Sequence, residues 1–116
     1  MCVGINEGVW VASHWRLEVA NALGMAERSK RLDAAGLAQA VALFTQLPVS
    51  VDPETNEHAS GATLALARQQ VLSVYAAAYL ELALRRGATL ATFDRPLRDV
   101  AEKLGVPLLP QKLVNE

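Results

Sequence analysis

Cys2 is the only cysteine in this chain of 116 residues, which excludes an internal disulfide framework and a cysteine-held metal cluster and suits a reducing compartment. A surplus of charge is also missing. Eleven Lys and Arg stand against 12 Asp and Glu, a formal net charge of -1, so no global positive field draws nucleic acid and any such contact needs a local patch. Long apolar runs are absent: AAGLAQAVAL, among the longest, is too short and too interrupted to cross a bilayer. The N-terminus shows neither the basic start nor the extended apolar segment of a secretion signal. With no repeat, low-complexity tract or Pro/Gly-rich linker, the expectation is one domain over 1–116, cytoplasmic and without a membrane partner.

What is present is 52% hydrophobic residues, enough for one core, arranged in a regular order. GVWVA at 8–12 is short, β-branched and aromatic, as a buried strand is, and Trp15, Val19, Ala22, Leu23 and Ala26 then recur at helical spacing. A second helix follows in LDAAGLAQAVALFTQL, then a short strand in PVSVD. Asp52-Pro53-Glu54 reads as a helix start running to about Gln70, since Asp caps free N–H groups and proline suits the first helical position. Ser73 caps the next helix, and Gly87 ends it in the left-handed region. ATLATF is a strand, RPLRDVAEKLG a short helix ending at Gly105, and VPLL a last strand. Such alternation predicts an α/β fold, a mostly parallel sheet with helices on both faces, whose function sits where strands end and helices begin.

Three acids fall near such ends, and each has two readings. Glu18, one turn into its helix, either interacts with the helix dipole or serves chemistry. Asp94 either caps the helix that follows or serves chemistry. Asp52 is accounted for as a cap. His14 and His58 show no paired ligand spacing, and Trp10 and Trp15 read as core.

The stretch SVYAAAYLELALRRGATLATFDRPL, with VWVASHWRLEVANAL before it, resembles PIN-domain proteins of the VapC toxin type, from Gly8 to Pro110. The resemblance implies a three-layer α/β/α PIN-like fold and Mg2+- or Mn2+-dependent cleavage of RNA, by a toxin held in check by an antitoxin and commonly a homodimer. Clustered carboxylates hold the cations that orient water and neutralise phosphate charge. Glu18 and Asp94 match two of the family's acids and would bind metal, with Thr92 as the accompanying hydroxyl. Arg16, Arg95 and Arg98 lie close in sequence and are candidate RNA contacts, or solvated helix faces.

Two departures qualify that expectation. The family's third acid is replaced by Ala76, and no carboxylate stands one helical turn away, where Leu72, Tyr79 and Leu80 lie. Glu81 is five positions on and should face elsewhere. The usual first strand-helix unit, ending in the first acid, is missing, since only MCVGINE precedes Gly8. A strand there is expected to turn back beside GVWVA as an antiparallel hairpin, unless a neighbouring chain covers the seam. The expectation is a truncated, weakly active or inactive ribonuclease with two of four acids. The alternative is a non-catalytic binding module retaining a dimer or antitoxin surface. A receiver-like domain is more distant, because no acidic cluster follows the first strand.

Overall fold

The computed structural model describes residues 1–5 and 8–113. Its elements run β1 (Cys2–Ile5), β2 (Gly8–Val11), α1 (Trp15–Arg28), α2 (Ala34–Thr45), β3 (Val49–Val51), α3 (Thr55–His58), a π-type segment (Ala59–Thr63), α4 (Leu64–Gln70), α5 (Val74–Arg86), β4 (Thr89–Ala91), α6 (Arg95–Lys103) and β5 (Leu108–Leu109). The chain forms two compact units, one of Met1–Ser13 with Val49–Glu116 and the other of His14–Pro48.

The first unit holds the sheet, in the order β3-β2-β1-β4-β5. β1 lies at its centre and pairs antiparallel on both sides, Val3 facing Trp10 of β2 and Leu90 of β4. The outer pairs, β2 with β3 and β4 with β5, are parallel. The α/β class is as expected, but the sheet is mixed rather than mostly parallel. The reason is local: two residues separate β1 from β2, too few for a crossover, so the chain can only return alongside itself. This hairpin fills the central position that would otherwise leave unpaired backbone groups.

The core of this unit is built on Val3, Val11 and Leu90 from the strands and on α5, where every residue from Ala76 to Ala83 is buried. A helix apolar nearly all round belongs inside. Ser73 caps α5 by accepting the Ala76 N–H at 3.0 Å, and Gly87 ends it at φ 60°, a conformation that a Cβ would oppose. Burial of Leu80 and Leu82 contributes roughly 2 kcal/mol each. The single helix expected from Asp52 to Gln70 is broken: Gly61, at φ -106° and ψ -106°, leaves helical geometry and divides α3 from α4. α6 starts as read, with Asp94 accepting the Leu97 N–H and Pro96 in the first turn.

The second unit is a pair of helices. Asp33 caps α2 through the Gly36 N–H at 2.7 Å, and the rings of Trp15 and Phe44 meet at 5.3 Å. Trp15 is buried, as expected of core, whereas Trp10 in the first unit is only half-buried. Along α1 and α2, Leu17, Met25, Val41 and Leu43 remain exposed.

Candidate functional site

In the first unit, β4 runs into Thr92-Phe93-Asp94-Arg95 at the start of α6, a strand end of the kind at which sites form in α/β sheets. The turn is held by its own polar groups. Thr92 is buried and its Oγ1 accepts the Asp94 N–H at 3.0 Å, while Asp94 Oδ2 accepts the Leu97 N–H at 3.0 Å. The capping reading of Asp94 is therefore observed, and it leaves Oδ1 of an exposed carboxylate outside the cap.

α5 returns to β4 through Gly87, so its first turn lies at the same end of the unit as the residues that follow β4. Ala76 occupies the third position of that turn and is 7% exposed. A carboxylate here would benefit from the positive end of the helix; a methyl group offers no donor. Nor does β1 supply an acid among its residues Cys2–Ile5. Glu81 sits on the buried part of α5, but is tied to Arg85, with Nε donating to Oε2 at 2.7 Å.

Glu18 belongs to the second unit, where its Oε1 lies 3.3 Å from His14 Nε2. Arg16 lies nearby with its guanidinium 5.9 Å from the Trp15 ring centroid. The three arginines are in different situations. Arg16 and Arg95 are exposed, but Arg98 is only 3% exposed, and its guanidinium donates to the carbonyls of Thr92 (3.0 Å), Pro110 (2.7 Å) and Gln111 (3.3 Å). The expectation of Arg98 as a phosphate contact is corrected: its donors hold the segment after β5 in place.

Sequence reading also missed the strongest charge cluster. Asp52 does cap, accepting from the Glu54 N–H at 3.3 Å and Thr55 Oγ1 at 2.9 Å. The same fully buried carboxylate accepts from Arg85 Nη2 at 2.6 Å and Arg86 Nη2 at 3.3 Å. Arg85 further reaches Glu54 at 2.7 Å, and Arg86 stacks 3.8 Å from the centre of the Trp10 ring. Burial alone would raise the Asp52 pKa, but hydrogen bonds from Arg85, Thr55 and the Glu54 N–H, with the charge of Arg85, overcome it and lower it from 3.8 to about 2. Arg85 is pushed in the opposite direction, first by its bond to Glu81 and then by Asp52. Only the Glu81–Arg85 spacing of four residues signals this in sequence.

The model of the PIN domain family matches residues 4–103. Comparison with curated proteins finds no match. PIN domains are nucleases that bind RNA and generally use divalent metal ions. The donors present here do not form a cage for such an ion: among the described residues no group of three His, Cys, Asp and Glu could hold one, and the first turn of α5 presents Ala76. The missing donors concern chemistry and leave the family untouched. The matched span runs from within β1 to the end of α6, and the chain belongs to the PIN domain family.

Proposed function

We propose that this chain is a PIN ribonuclease domain of the VapC toxin type, a single domain over 1–116, in which phosphodiester hydrolysis is impaired. Glu18 and Asp94 would be its remaining metal ligands, weak ones for Mg2+ or Mn2+, with Thr92 supporting Asp94 through its N–H and Arg16 and Arg95 as candidate phosphate contacts. The observation that carries the proposal is Ala76: a helix turn capped by Ser73, in the family's wording on both sides, with a methyl group where a carboxylate is expected. Cytoplasmic RNA is the implied substrate.

A second reading is favoured by the exposed Leu17, Met25, Val41 and Leu43 of the helical unit. It makes the chain a non-catalytic module that binds an antitoxin or a second copy of itself, since exposed apolar groups gathered on one element pair mark interaction surfaces.

Manganese-dependent cleavage of a mixed RNA pool separates the two, with the native chain, Ala76→Asp and Asp94→Ala assayed side by side. The impaired-enzyme proposal expects cleavage from Ala76→Asp well above the native chain. Native cleavage abolished by Asp94→Ala would show that two acids suffice and that Ala76 is no lesion. Silence from all three moves the binding module ahead.

A further inference from the structure

We infer that the cavity lined by the second half of α6 and the segment around β5 binds a small apolar zwitterion, an amino acid or short peptide with both ends free. None of the residues that line it takes part in the nuclease reading.

The cavity measures about 610 Å3, within the ~300–1,000 Å3 usual for small-molecule sites. Its walls are fixed without a ligand. Gly105 turns the chain at φ 75°, the Val106 N–H donates to the Ala101 carbonyl at 2.8 Å, and the Pro107 carbonyl accepts from the Leu90 N–H at 2.8 Å. A wall held in this way loses little further freedom when a molecule enters.

One observation points to an occupant with a negative group. Arg98 lines the cavity and is a buried cation whose acceptors, the carbonyls of Thr92, Pro110 and Gln111, are all neutral. Among the described residues it has no carboxylate partner, and its buried Nε has no acceptor at all. Buried guanidinium groups are ordinarily paired with an anion, because neutral acceptors repay the desolvation of the charge only in part. Lys112 lines the same cavity, exposed and without an ion pair among the described residues. A carboxylate entering here meets the field of two cations, and the Lys112 ammonium has three N–H donors to offer it.

A second observation, independent of the first, calls for a positive group. Asp99 and Glu102 line the cavity from α6, three residues apart and so on one face of the helix. Both are exposed, and neither side chain is paired among the described residues. Glu102 stands in the last turn of α6, where the negative end of the helix disfavours a carboxylate, and Asp99 adds a like charge beside it. An ammonium group offsets both effects.

The two pairs of charges narrow the ligand. A phosphate or nucleotide suits Arg98 and Lys112 but is repelled by the acids; a polyamine suits the acids but is repelled by the cations. A zwitterion satisfies both. The cavity also carries apolar surface from Val106 and Leu108, which suits a leucine-like side chain.

The test is a titration of the native chain with leucine and with leucyl-leucine, read as amide NMR shifts of Val106, Leu108 and Gln111. The dipeptide with its amine acetylated, the dipeptide with its carboxyl amidated, and inorganic phosphate are run beside them. At least one free probe is expected to shift these amides to saturation; leucine alone would assign the free amino acid, and the dipeptide alone a peptide. Each blocked dipeptide is expected to bind at least about tenfold more weakly than the free one, having lost a charge-assisted contact. Lys112→Ala, and Asp99→Asn combined with Glu102→Gln, are expected to weaken binding by a similar factor with unchanged Tm; Arg98 is left intact because its bonds hold the fold. Equal binding of either blocked dipeptide, or unaltered affinity in both variants, would overturn the inference. Phosphate binding more tightly than the free probes would make this a plain anion site and overturn it too. If neither free probe at about 10 mM, tenfold above a millimolar Kd, moves these amides, the inference fails. Cleavage of RNA, or its absence, bears on none of these outcomes.

Discussion

Asp52 and Arg85 set the residue scale. A carboxylate with no exposed surface survives as an anion because two guanidinium groups and two local donors address it. Removing Arg85 as Arg85→Met leaves that charge with less compensation and is expected to cost about 3–5 kcal/mol, read as a lower urea midpoint. The pH dependence has a definite sign. A folded pKa near 2 against 3.8 in the unfolded chain stabilises the fold fully above pH 4, by roughly 2 kcal/mol, and that contribution is lost as pH falls from 4 through 2. Asp52→Asn should flatten the stability curve in that window; an unchanged acid limb would show that the pairing does not carry it. Val71 gives a smaller effect of opposite sign. It is exposed and sits at φ 54° at the end of α4, where a β-branched side chain is strained. Val71→Gly is expected to gain about 1 kcal/mol and raise Tm by roughly 3–6 °C in a calorimetric scan.

At the scale of elements, most of the fold was legible because its signals are local. Ser73, Asp33 and Asp94 announce helix starts through side chains that bond N–H groups three residues ahead, and two residues between strands force a hairpin. The break at Gly61 was not legible, since an isolated glycine in a helical pattern is often tolerated. The site was legible only in its chain-adjacent pieces, Thr92 with Asp94 and Ala76 in its turn. Positions 52, 54, 81, 85 and 86 meet only once the sheet and α5 are assembled, and Arg98 looked like a surface residue because its partners, the carbonyls of Thr92, Pro110 and Gln111, carry no sequence signature. β4 allows a test at this scale. It is paired by β1 on one side and β5 on the other, so the amides of Leu90 and Thr92, bonded to Pro107 and Leu109, should exchange near the global unfolding limit. Fast exchange throughout ATLATF would contradict the central placement of β1.

For the molecule as a whole, the two units differ in how their apolar residues are disposed. The sheet unit buries α5 almost entirely, whereas α2 contains no buried residue. Local stability follows buried contact, so amides of α1 and α2 are expected to exchange faster than those of α5 by at least tenfold in native-state exchange mass spectrometry. Equal protection would mean that the helical pair opens only with the sheet. The order of the sheet has a further consequence, during synthesis. β1 is made before either of its partners and can fold onto β2 soon after it, yet its other edge must wait for β4, where Cys2 meets Ala91. Until β4 is made the middle strand is therefore an open edge, and the nascent sheet depends on a hairpin too small to be stable alone.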